Sequence, residues 1–166
     1  INVMAEGTFG STFPNGCHIT EVEIDPATGA SRIVAYNAVD DCGNVINHTV
    51  VEGQVHGAVA QGAGQIFSEQ VVYDRQTGQL VTGSFMDYCM PRAGFVPAIH
   101  MQDSPVPSVN NTLGVKGVGE SGCTASIPSL ANAVVDALRP LGVAHLDMPM
   151  TPAKLWHAID SAIKTG

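Results

Sequence analysis

Positive charge is scarce in this chain: seven Lys and Arg stand against fifteen Asp and Glu in 166 residues, a formal net charge of −8. Nucleic-acid phosphate and anionic membrane surfaces both demand a basic patch, so neither is expected as a main partner. No apolar run is long enough to span a bilayer, and the first residues lack the charged start and apolar stretch of a secretory signal. A cytoplasmic, reducing location is therefore the expectation, and the sequons at Asn47 and Asn110 are discounted. The four cysteines, Cys17, Cys42, Cys89 and Cys123, lack the close pairs that zinc and iron-sulfur sites use. They are expected as small, buried apolar residues. The missing methionine at Ile1 is expected of an excised piece or a processed product.

What is present is a 45% hydrophobic chain, enough for one domain over residues 1–166 with a real core. Cys17–Ile24 and Ser31–Val39 are rich in β-branched residues, and Asp25-Pro26-Ala27-Thr28-Gly29 between them supplies a turn. A β-hairpin is expected there. A second is expected from Gln70–Tyr73 and Gln79–Thr82, with a short strand over Val143–Leu146. Thr49 followed by Glu52 has the form of a capping box, and Val51, Val55, Val59 and Ile66 recur at helical spacing, which predicts a helix from about Val50 to Ile66.

That helix contains Gly53, Gly57, Gly62 and Gly64, each costing roughly 1 kcal/mol relative to alanine, so close packing against a backbone or a cofactor must compensate. Gln54, Gln61 and Gln65 share one stripe, either a polar solvent face or a ligand face. A further helix is predicted from about Ser126 to Leu138, ended by Arg139-Pro140, and a last one behind Thr151 as N-cap and Pro152. The prolines between Met90 and Asn111 predict an extended connection.

The segment most open to chemistry is Gly114-Val115-Lys116-Gly117-Val118-Gly119-Glu120-Ser121-Gly122. Glycines allow a ligand close to the main chain, and bare amides ahead of a helix form an anion site. Lys116 adds a cation, and Glu120 is the one side chain there able to move protons. A surface turn with two solvated charges fits the spacing equally well. The loop lacks the Gly-x-x-x-x-Gly-Lys-Ser/Thr phosphate pattern, and Ser121 lacks the Gly-x-Ser-x-Gly setting of a hydrolase nucleophile.

Four stretches in order resemble the C-terminal part of the molybdenum-binding large subunit of the xanthine dehydrogenase and aldehyde oxidase family. They are Glu52-Gly53-Gln54-Val55-His56-Gly57 with Gln61-Gly62-Ala63-Gly64, then Gly83-Ser84-Phe85-Met86-Asp87-Tyr88, the Gly114–Gly122 loop, and Met148-Pro149-Met150-Thr151-Pro152-Ala153-Lys154-Leu155-Trp156. Ser121-Gly122 after the glutamate is similar to the aerobic carbon monoxide dehydrogenase-like branch.

The resemblance implies an α+β fold, β-hairpins packed with three main helices, and a molybdopterin cofactor, in bacteria often the cytosine dinucleotide. The metal then takes no protein side chain. Glu120 is implied as the base that activates water-derived oxygen towards a small carbon substrate. Lys116 and the amides of Gly117, Val118 and Gly119 are implied to hold the anionic cofactor, with Gln54 as a further contact. Electrons would leave to [2Fe-2S] clusters and FAD on partner subunits. Since the family's metal site also draws on an earlier part of the large subunit, this chain alone is expected to be inactive. The competing expectation is a non-catalytic scaffold fragment of such a complex.

Overall fold

The computed structural model describes residues 2–7 and 10–165. β1 (Asn15–Ile24) and β2 (Ser31–Asp41) form the expected first hairpin, antiparallel, with an irregularity between Glu21 and Val22. Along β2 the residues Ile33, Tyr36, Ala38 and Asp40 turn inward and are buried. The period of two that a one-faced strand requires is thereby kept after a local slip, and it delivers an acid to the interior.

β3 (Ile99–Asp103) pairs parallel to β2, giving the order β1-β2-β3. It lies in the stretch expected to be an extended connection, and its pairing invites correction of that expectation. Parallel partners need a long crossover, and here it is α1 (His48–Phe67) plus the segment that follows. Residues 70–82 double back as expected but pair only minimally, through the antiparallel bridge Tyr73↔Leu80 and the backbone bonds Asp74 N to Gln79 O and Val81 N to Val72 O, without extended strands, and Val143–Leu146 is not a strand. Val71, Tyr73 and Val81 are more than half exposed, so no buried face drives those residues to pair.

α1 starts two residues earlier than expected. Its cap is Asn47, whose Oδ1 accepts from Val50 N, and not Thr49. α2 (Ser121–Leu138) starts five residues earlier than expected and runs through Pro128. The early start has a packing cause: a Cβ on Gly122 would lie 2.8 Å from Val55 O and 2.9 Å from Ala58 Cβ, so only glycine lets the first turn of α2 seat on α1. Gly62 meets Ser126 in the same crossing, where a Cβ would approach Ser126 Oγ at 2.0 Å. Two of the four α1 glycines, Gly62 and Gly64, are thus compensated by close packing. Gly53 and Gly57 have open space around them.

α1 and α2 cover one face of the sheet, and Val55, Val59, Ile66, Leu130 and Val134 join Tyr36 in the core. α3 (Pro152–Thr165) adds Leu155 and Ile159, opening behind Thr151 as expected. A mixed sheet with three helices is the α+β architecture the sequence predicted. Among the described residues, no helix is long and apolar enough to cross a membrane. All four cysteines are free, but only Cys42 is buried; Cys17 and Cys89 are exposed and Cys123 is intermediate.

Candidate functional site

Glu120 stands at the N-cap of α2, with its side chain making no capping hydrogen bond. Gly117, Val118, Gly119 and Glu120 line a cavity of about 770 Å³ whose opposite wall comes from Thr12–Gly16 and Asp40. The volume is within the range of cofactor and small-molecule sites. The loop glycines differ in what they contribute: Gly114 takes a left-handed φ of 67°, whereas Gly117 has no atom within 4 Å of where a Cβ would stand. A Cβ on Gly119 would lie 3.7 Å from Gln54 Oε1, so the loop and the exposed face of α1 meet at that amide. Gln54 and Glu120, sixty-six positions apart by their numbers, are brought together by the Gly122 crossing. His56 and Gln61 are exposed on α1 and do not line this cavity. Burial and the neighbouring Glu120 charge push the Cys123 thiol up, which places the carboxylate within electrostatic reach of the first turn of α2.

Lys116 faces another way. Its Nζ donates to Asp41 Oδ2 at 2.5 Å, both side chains being about nine-tenths buried, and it lines a separate cavity beside Ser104 and Val106. Asp41 Oδ1 accepts from Gly43 N and Val106 N, each at 2.9 Å. One carboxylate therefore ties the end of β2 to the segment after β3 and to the glycine loop. The main chain repeats the connection, with Lys116 N donating to Cys42 O and Asn44 N to Gly114 O.

The Lys116 ammonium, followed by the Val106 amide, holds the Asp41 carboxyl at about 2, below its ordinary 3.8. A carboxylate depressed on folding stabilises the fold above the unfolded value and loses that contribution as pH falls through the folded one. Thermal unfolding of the purified chain should accordingly show Tm falling between about pH 4 and about pH 2, with a smaller fall in Asp41→Asn.

Behind the cavity lies a buried polar chain that the sequence analysis did not single out. His18 Nε2 lies 3.2 and 3.3 Å from the two oxygens of Asp40, and His18 Nδ1 lies 2.7 Å from Tyr36 Oη. The side chains of His18 and Asp40 are 0% and 2% exposed. Burial and then the Asp40 charge push the Tyr36 phenol up, which keeps it a hydrogen-bond donor. The signal available in the sequence was the acid pair Asp40-Asp41 ending a β-branched strand, since alternation sends two neighbours to opposite sides.

The glycine loop, the N-terminus of α2 and the carboxylates of Glu120 and Asp40 meet at one cavity on an α+β scaffold. Residues 2–97 match the family model of the molybdopterin cofactor-binding domain, and the chain belongs to that family. It is 42% identical over 151 residues to the nicotine 6-hydroxylase large subunit of Paenarthrobacter nicotinovorans, covering 91% of this chain and 18% of that one. It is 39% identical over 148 residues to the carbon monoxide dehydrogenase large chain of Hydrogenophaga pseudoflava, covering 89% of this chain and 18% of the other. Reconstituted carbon monoxide dehydrogenase from Oligotropha carboxidovorans superposes with a TM-score of 0.87 at 33% identity, over 92% of this chain and 19% of that one. The resemblance read from four ordered motifs is borne out. The chain spans about a fifth of the length of the relatives it matches.

Proposed function

We propose that this chain is the C-terminal portion of a molybdenum hydroxylase large subunit, with Glu120 as the base beside the metal. The observation that carries the proposal is the meeting of Glu120 and the open Gly117–Gly119 loop at one cavity, with the Gln54 amide beside Gly119 just outside its lining, in a chain of the molybdopterin cofactor-binding family. The residues fit the group. The glycine at 117 leaves room for an anion at the amides, the free N-terminus of α2 adds partial positive charge, and Gln54 donates or accepts without adding charge. Lys116 contributes positive charge behind the loop, shared with Asp41.

When bound, the molybdenum-pterin group, by this proposal a cytosine dinucleotide, supplies the two-electron redox centre. Glu120 takes the proton from the water-derived nucleophile that attacks the carbon of an aldehyde, an N-heterocycle or carbon monoxide. Its uncommitted side chain, exposed at the helix cap, is placed to receive and return that proton. Electrons pass to iron-sulfur and FAD partner subunits, and the four free cysteines accord with a reducing cytoplasm.

The remaining wall of the site comes from the rest of the large subunit. Purified alone, the chain is expected to fold and to show no dye reduction with aldehydes, N-heterocycles or carbon monoxide, while the full subunit made with its partners carries molybdenum and turns over. Robust turnover by the single chain, or a full subunit free of molybdenum and pterin, would refute the proposal.

A further inference from the structure

Asp40 is a buried carboxylate with acceptor capacity to spare, and the cavity it lines is the one that holds Glu120. A carboxylate can accept about four hydrogen bonds, whereas among the described residues the side-chain donor reaching the Asp40 oxygens is the Nε2–H of His18. The direction of that bond is fixed by chemistry. Carboxylate only accepts, so Nε2 carries a proton towards Asp40, and Nδ1 on the other side of the ring lies 2.7 Å from the Tyr36 hydroxyl. His18 thus points its Nε2–H at Asp40, and Tyr36 bonds the far side of the same ring and fixes its position.

Gly16 faces Asp40 across the β1–β2 pair and lines the same cavity. A Cβ there would sit 2.2 Å from Asp40 Oδ1. The lack of a side chain at position 16 leaves room for that oxygen in the cavity wall, although the Asp40 side chain is only 2% exposed. Buried acceptors left short of donors are costly, and a ligand donor is the natural complement.

We propose that Asp40, held by His18 and given room in the cavity wall by Gly16, is a fixed hydrogen-bond acceptor for an N–H group of the molecule occupying the Glu120 cavity. The inference rests on the molybdopterin reading, under which the N–H can belong either to a ring of the cofactor or to an N-heterocyclic substrate. A charge-assisted acceptor aimed at one N–H contributes about ten- to hundredfold in affinity.

The test uses the full large subunit with its partners, as Asp40→Asn and Gly16→Ala. The first replaces the anionic acceptor at nearly constant shape; the second puts a methyl 2.2 Å from where Oδ1 stands and forces that oxygen out of position. Molybdenum by mass spectrometry and released pterin by fluorescence are measured per subunit during dilution, and KM is measured for a heterocyclic substrate. Accelerated cofactor loss of about tenfold or more in both variants identifies a cofactor N–H. Retained cofactor with KM raised about tenfold and kcat little changed identifies a substrate N–H. Wild-type retention and wild-type KM in folded Asp40→Asn overturn the proposal, and should that variant fail to fold, the same result in Gly16→Ala does so. Either negative result leaves the molybdopterin reading standing, because wild-type metal content tests that reading separately.

Discussion

Replacing Glu120 by Gln in the intact large subunit is expected to lower kcat by about a hundred- to ten-thousandfold while molybdenum and pterin content stay unchanged. The substitution keeps the shape of the side chain and removes its ability to take a proton. It is also unusually clean. Acidic N-caps commonly hold a helix together, so their loss confounds kinetics with stability, but the Glu120 side chain makes no capping hydrogen bond. Folding stability should therefore move by only a few tenths of a kcal/mol, the worth of one exposed charge near a helix N-terminus.

A local readout accompanies the kinetic one. The Glu120 charge is the second cause, after burial, that raises the Cys123 thiol, so alkylation of Cys123 should quicken in Glu120→Gln. Unchanged turnover with intact metal would instead favour a scaffold role for the loop.

The elements legible in the sequence were those whose signals are local. Alternating β-branched residues around a Pro-Gly turn marked β1 and β2, and 3.6-residue periodicity marked all three helices. β3 was hidden because its five residues, Ile-His-Met-Gln-Asp, lack β-branched density and owe their extension to a parallel partner sixty-three positions away, as in Tyr36↔Ile99. The second hairpin shows the converse, a good turn sequence whose pairing stops after one bridge because no buried face extends it.

At the site, Glu120, Gln54 and the glycines stood out by residue type and family motif. Lys116 stood out as a charge, but its partner Asp41 is seventy-five positions away, and spacing alone does not reveal such an ion pair. The chain from Tyr36 through His18 to Asp40 was illegible for the same reason, being assembled only when β1 and β2 come into register.

The Gly122 crossing is where fold and site are joined, and Gly122→Val is expected to damage both. The nearest obstacles to a Cβ there are Val55 O at 2.8 Å, Ala58 Cβ at 2.9 Å and Val55 Cα at 3.3 Å, atoms of α1 that cannot rotate aside as a side-chain tip can. Overpacking of this kind costs about 1–3 kcal/mol or more, several times the few tenths that valine recovers over glycine in helix propensity. Urea unfolding of the purified chain should show the midpoint falling accordingly at unchanged slope. Gly57→Ala provides the contrast: α1 is open there, so the same loss of glycine should raise stability by about 0.5–1 kcal/mol. The functional consequence follows from geometry. Glu120 lies two residues before Gly122 and Gln54 one residue before Val55, so a wedge between the helices separates the base from the amide that faces its loop. In the full subunit Gly122→Val should consequently lose cofactor as well as turnover, unlike Glu120→Gln, which should lose turnover alone.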